Sequence, residues 1–325
     1  MNLDKAKIEA KKMLSRGEVK YVIGYEIGTY GFRISPSFAR TPEEVDKFTL
    51  SPLCANNLVT YLKVERSPPL PKGIKPSNLK VALFAKGCDS RAILQLIAEK
   101  NLSREDVFIF GVPCTGRIDP KKIEAMFPRV VSKADVVEKD DSYIIMIEGK
   151  DHPVPKDKLI FDHCRSCQYP NPLVYDLLLG DEVAAGEDYY DSVVELEKQT
   201  LNERWNYWRS HFERCIRCNA CRNVCPLCYC DDCILERLKP QWMRRSVNAN
   251  DNTVYHLTRA YHMAGRCISC GECERVCPMH LPLMKLYKKL EKDVKELFEY
   301  TPGLTAEEKP LLTTFKPEDS EEFIK

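Results

Sequence analysis

Cys215-Ile-Arg-Cys218-Asn-Ala-Cys221-Arg-Asn-Val-Cys225-Pro226 and Cys267-Ile-Ser-Cys270-Gly-Glu-Cys273-Glu-Arg-Val-Cys277-Pro278 share one spacing, with 41 residues between Cys225 and Cys267. Each reads C-x2-C-x2-C-x3-C-P, the run by which bacterial-type ferredoxins hold two 4Fe–4S clusters. Three thiolates of a run enclose one cubane, and the fourth crosses to the other. The spacing therefore predicts Cys215, Cys218, Cys221 and Cys277 around one cluster, and Cys267, Cys270, Cys273 and Cys225 around its partner. Zinc also uses C-x2-C pairs. A tetrahedral ion takes four ligands in all, however, not two runs of four ending in Cys-Pro. A zinc-stabilised interaction protein is thus the distant alternative to an electron carrier.

Working outward, the chain of 325 residues is long enough for two domains with separate cores. Its 49 basic and 48 acidic residues nearly cancel, so no nucleic-acid partner is expected. The N-terminus is charged from its fourth residue, unlike a secretory signal, and no run approaches 18 apolar residues, so no membrane insertion is expected. Sixteen cysteines without a disulfide-scaffold density point to a reducing cytoplasm, where thiols stay available for metal.

Residues 1–187 alternate strand-like and helical runs, which predicts an α/β domain with a mainly parallel sheet. Lys80–Ala85, Val107–Gly111 and Leu159–Asp162 read as strands. Helices are expected over Arg91–Lys100, from Asp119-Pro120 onward, and over Leu173–Leu179. Asp135–Val137 and Tyr143–Ile147 read as a hairpin. Gly24 to Gly31 fits a glycine-rich hairpin better than a phosphate cradle. One long linking helix is predicted over 188–212, with Trp205, Trp208 and Phe212 packing on one face. A mostly helical two-cluster domain then spans 213–300 and closes on a helix over Leu281–Glu299. The Pro- and Glu-rich tail, 301–325, is expected to be flexible.

The first domain carries its own cysteines. Cys88 lies in KGCDSRA and Cys114 in GVPCTG, each just past a strand, and Cys164 and Cys167 lie in HCRSCQYPNP. Loops at the carboxyl edge of an open α/β sheet gather where ligands bind. Four thiols from three such loops suit a third 4Fe–4S cluster. Zinc on the same thiolates, or buried cysteines with no ligand, remain the alternatives. Lys86, Arg91, Arg117 and Arg165 flank these cysteines, either raising a cluster's potential or holding the phosphates of a cofactor such as FAD. Cys228, Cys230 and Cys233 follow the first run closely enough for an extra metal site, given a fourth ligand such as Cys54, His211, His256 or His262. No set of catalytic acid, base or nucleophile is recognisable.

KGCDSRA, GVPCTG and HCRSCQYPNP, in that order and followed by the cluster runs, resemble the β subunits of deazaflavin-dependent hydrogenases and formate dehydrogenases. The resemblance implies that Cys88, Cys114, Cys164 and Cys167 ligate one 4Fe–4S cluster, with a flavin beside it. Flavin-binding relatives carry Ser-Gly-Gly before an early helix. Here the corresponding place reads Ser51-Pro-Leu-Cys-Ala-Asn-Asn57. The resulting expectation is an electron-transfer subunit in a multi-subunit redox complex of formate dehydrogenase, hydrogenase or heterodisulfide reductase type. The alternative is an FAD-containing subunit that exchanges hydride with NAD(P)H or a deazaflavin.

Overall fold

Lys80–Ala85 (β3) and Val107–Gly111 (β4) are strands, as their apolar, β-branched and aromatic residues dictate, and they pair in parallel with Val81 opposite Val107. The computed structural model describes residues 2–29, 32–63, 79–128, 135–187, 190–315 and 317–318. Two units divide the chain. One takes Met1–Val59, Pro68–Arg91 and Leu102–Asp188, the other Thr60–Ser67, Ala92–Asn101 and Tyr189–Lys325.

In the first unit, helix α1 (Leu3–Ser15) starts where the Asn2 side chain accepts the Lys5 N–H at 2.9 Å. Strands β1 (Val19–Ile27) and β2 (Ile34–Ala39) form the antiparallel hairpin expected around Gly24, although Tyr30 and Gly31 lie outside the described residues. The five-stranded sheet runs β2-β1-β3-β4-β8, and every pair except β1–β2 is parallel. Its last strand, β8 (Leu177–Leu178), corrects the helix expected over Leu173–Leu179. Pairing of Phe110 with Leu177, and the Asp176 carboxylate accepting the Ile109 N–H at 2.7 Å, overrides local propensity there.

Helix α2 (Gly87–Ala98) begins earlier than expected, so Cys88 sits in its first turn rather than before it. Helix α3 (Pro120–Met126) starts at Asp119 as predicted, with its side chain capping the Lys121 N–H. The predicted hairpin gains a third strand: β5 (Asp135–Lys139), β6 (Ser142–Ile147) and β7 (Lys150–Pro155) form an antiparallel sheet. Its inner face packs Tyr143, Ile145, Ile147 and Val154 against Leu53, Ile118, Ile123 and Leu159. No strand forms over Leu159–Asp162. Short helices α4 (Lys156–Leu159) and α5 (Asp162–Arg165) flank it, and a single bridge joins Ile118 to Ile160.

In the second unit the expected linking helix is two helices, α6 (Asp191–Glu197) and α7 (Leu201–Glu213). Thr200 and Glu203 form a reciprocal capping box that restarts the helix. Trp208 stacks on Phe212, and Phe212 on His256, with ring centroids 5.5 and 4.7 Å apart. Trp205 is exposed, not packed. Helices α8 (Ala220–Asn223), α9 (Ala249–His262), α10 (Glu272–Arg275) and α11 (Leu283–Phe298) complete the unit. The start of the tail, expected to be flexible, keeps Pro302, Gly303 and Pro310 buried, and residues 319–325 lie outside the described residues.

Candidate metal centres

The two cysteine runs adopt the same local conformation. Arg217 and Asn219 have φ of +53° and +59°, and their counterparts Ser269 and Gly271 have +54° and +72°. Left-handed backbone on either side of the second cysteine curls each run around a hollow, with glycine or asparagine at the second such position, where the penalty is least. The Arg217 N–H donates to Cys215 Sγ at 3.4 Å, and the Ser269 N–H does the same for Cys267. Short helices α8 and α10 then carry the third cysteines, Cys221 and Cys273.

The hollows bring together the thiols that the spacing grouped. One pocket, with about 330 Å³ of atom-free space, is lined by Cys215, Cys218, Cys221 and Cys277. The other, with about 350 Å³, is lined by Cys267, Cys270, Cys273 and Cys225. Each thus receives its fourth thiol from the other run. Apolar neighbours such as Leu281 and Leu283 in the first, and Leu227, Ile268 and Met284 in the second, shield Cys215, Cys221, Cys277, Cys225 and Cys273, whereas Cys218 is exposed. Burial pushes the Cys267 thiol up to about 12, so charge there needs a metal to take it up. Four-thiol hollows of this kind fit 4Fe–4S clusters.

Helix α9 adds groups the sequence reading did not assign to the clusters. His256 Nε2 lies 3.3 Å from Cys215 Sγ. Burial, with Arg259 and Arg217 nearby, pushes its pKa down to about 3, so the imidazole is neutral; toward a metal-bound thiolate, which can only accept, it would donate as the Nε2–H tautomer. Tyr255 Oη stands 3.9 Å from Cys221 Sγ, and the Leu281 N–H donates to Cys277 Sγ at 3.4 Å. The signal for these residues was the helical spacing of Tyr255, His256 and Arg259 on one face of α9.

The first-unit cysteines are gathered by backbone ties. The Cys114 N–H donates to Pro170 O at 3.0 Å, the Phe161 N–H to Arg117 O at 2.9 Å, and the Leu173 N–H to Ser90 Oγ at 2.9 Å. Cys88 lies within electrostatic range of Cys114 and Cys167, and Cys167 within range of Cys114 and Cys164. Burial pushes Cys88 well up and Cys167 to about 11. Among the described residues no group of three or more His, Cys, Asp or Glu is set to grip a single ion, as thiolates at about 2.3 Å from zinc would be. A cubane, whose thiolates bind different irons, holds its sulfurs further apart.

The four basic residues are largely committed within the fold. Lys86 Nζ meets Asp89 at 2.8 Å, Tyr25 Oη at 2.5 Å and Asn56 O at 2.8 Å. Arg91 stacks on Tyr169 at 4.2 Å, and Arg165 turns to Asp157 O and Asp162. Arg117 donates to Ser51 O at 2.9 Å and faces Cys114 and Cys164. Ser51–Asn57 is filled by its own side chains: Leu53, Cys54 and Asn57 are buried, and Cys54 Sγ accepts the Ser51 N–H at 3.3 Å. The segment lacks the glycines of the Ser-Gly-Gly stretch, and among the described residues Asn57 Nδ2 is buried without a partner.

Cys228, Cys230 and Cys233 are not drawn into an ion site among the described residues. Cys228 Sγ contacts Met263 Sδ at 3.8 Å, Cys230 is exposed, and Cys233 bonds to Arg222. Of the expected fourth ligands, Cys54 is enclosed by the Ser51 turn and His256 serves Cys215. His211 bonds to Arg214 at 2.6 Å.

Residues 214–282 match the family model described as a 4Fe-4S dicluster domain. The chain is 25% identical to the F420-dependent formate dehydrogenase subunit beta of Methanocaldococcus jannaschii, over 72% of this chain and 76% of that protein. It is 24% identical to the F420-dependent formate dehydrogenase 1 subunit beta of Methanococcus maripaludis, over 93% and 91%. A chain of the F420-reducing [NiFe] hydrogenase complex from Methanosarcina barkeri superposes with a TM-score of 0.40 at 18% identity, covering 51% of this chain and 59% of its own. The resemblance read from the motifs is borne out: a 4Fe–4S dicluster domain closes a chain similar over most of its length to formate dehydrogenase β subunits.

Proposed function

We propose that this chain is the electron-transfer subunit of a multi-subunit oxidoreductase of the formate dehydrogenase, hydrogenase or heterodisulfide reductase type, with three 4Fe–4S clusters. The observation that carries this reading is the pair of pockets in which each cysteine run completes the other's set of four thiols. When bound, such clusters accept and release one electron at a time. The chain's own residues hold the sulfurs in place, exclude water, and aim N–H groups from Arg217, Ser269, Leu281 and His256 at them. Hydrogen bonds of this kind favour the more negative, reduced state and so raise the reduction potential. Cys218 is the exposed thiol of its set and marks where that cluster would come nearest a redox partner.

In this reading Cys88, Cys114, Cys164 and Cys167 hold the third cluster, with Arg117 as the cation beside it. The reading contains no flavin, because Ser51–Asn57 lacks the Ser-Gly-Gly stretch of flavin-binding relatives, whose glycines let a cofactor approach the backbone closely. The test is anaerobic purification with iron, sulfide, zinc and flavin measured together. About twelve irons per chain are expected, and Cys164→Ser should leave about eight. Eight irons in the parent would remove the third cluster, and stoichiometric flavin would restore the hydride-exchanging alternative. No described helix is long and apolar enough to cross a membrane.

A further inference from the structure

Arg259 is 2% exposed, and among the described residues it pairs with no carboxylate. Its guanidinium donates to the Tyr287 hydroxyl and, from Nη2, to Cys221 O at 2.9 Å, while Nε has no partner. The other arginines packed into this unit are matched: Arg266 meets Glu99 at 2.6 Å, and Arg275 meets Glu272 at 2.6 Å. An unpaired guanidinium in a protein interior is strongly unfavourable unless a negative charge lies close by. Arg259 lines the pocket of Cys225, Cys267, Cys270 and Cys273. Through Cys221 O it also holds the backbone of the neighbouring pocket. Its place is between two four-thiolate centres, each net negative when loaded.

Resting on the two-cluster reading, we propose that Arg259 is the shared counter-cation of both dicluster centres, a positioning residue that holds their reduction potentials up. Reduction takes one electron from an external donor and adds one unit of negative charge to a centre. Arg259 stays protonated throughout, so its attraction grows with each reduction. Because it lines the Cys267 pocket directly and reaches the Cys215 pocket only through a carbonyl, the effect is larger on the former.

The test is a dithionite titration of the full anaerobic chain, followed by electron paramagnetic resonance, for the parent, Arg259→Gln and Arg259→Lys. Arg259→Gln is expected to keep its iron and lower both dicluster midpoints. The larger shift should be at least tenfold in equilibrium constant, or 59 mV for a one-electron couple. Arg259→Lys, which keeps the charge, should stay within about threefold of the parent. Unmoved midpoints in Arg259→Gln at full iron, or a Lys variant that falls as far as Gln, would overturn the proposal. If Arg259→Gln loses its clusters, the Lys variant decides. Iron retained by Lys supports a need for charge, and iron lost by both overturns it. A parent without the eight dicluster irons would instead remove the two-cluster reading, and this proposal with it.

Discussion

Gly87→Ala is expected to empty the first-unit cluster site while sparing the other two. Gly87 is the first residue of α2, immediately before Cys88, and an added Cβ there would stand 1.8 Å from Tyr169 O and 2.9 Å from Asn171 O. Ordinary carbon–oxygen contact begins near 3.3 Å, so the Tyr169 carbonyl must retreat by about 1.5 Å. That carbonyl belongs to the segment whose Pro170 O accepts the Cys114 N–H and which carries Cys167 two residues earlier. Alanine's better helix propensity favours the variant by roughly 0.5–1 kcal/mol. Overpacking costs about 1–3 kcal/mol and the strained Cys114–Pro170 hydrogen bond about 1 kcal/mol more, so destabilisation wins. Iron should fall from about twelve to about eight per chain, with denaturant unfolding of the iron-free protein moving to lower concentration. Twelve irons together with unchanged stability would refute the reasoning, because the Tyr169–Asn171 segment would then yield without disturbing the thiols.

Arg266→Met strands the Glu99 carboxylate, which Arg266 grips at 2.6 and 2.8 Å, and should cost about 3–5 kcal/mol in urea unfolding at neutral pH. Burial would raise the Glu99 pKa, but Arg266, with Tyr229 and Gln95, outweighs it and holds the pKa below 4.5. A carboxylate depressed in the folded state stabilises it above the unfolded value, and that stability is lost as pH falls through the folded value. The parent should therefore lose stability more steeply than Arg266→Met below about pH 4.5, as acid unfolding followed by circular dichroism would show. His256→Phe preserves a ring against Phe212 but removes the N–H aimed at Cys215 Sγ. One dicluster midpoint should fall, by up to about 59 mV, while the other stays in place, and a shift in neither or in both would contradict the assignment.

The cluster runs were legible because their information is local: spacing alone sets which thiols meet, and the pockets group them as the spacing did. The parallel sheet was legible where apolar runs are long enough to show a pattern, at Lys80–Ala85 and Val107–Gly111. It failed at the sheet edge. Two residues, Leu177–Leu178, carry no period, and Ile160, just past a short helix, is extended without joining the sheet. The break at Thr200 was present as a Thr-x-x-Glu capping box inside a continuous helical pattern, which the pattern obscured. His256 and Arg259 lie more than thirty residues beyond the first run, so only tertiary packing could reveal which sulfur or carbonyl they serve.

The exchange of fourth thiols between the two runs bears on how this domain matures. Neither half of the cysteine framework can be finished before the other has been synthesised and brought alongside, since Cys225 belongs with the later trio and Cys277 with the earlier one. Insertion of the two inorganic cores is therefore interlocked. A ribosome-bound fragment ending before Cys277 offers only three thiols to its first core, and partially loaded intermediates should be scarce beside empty and fully loaded protein.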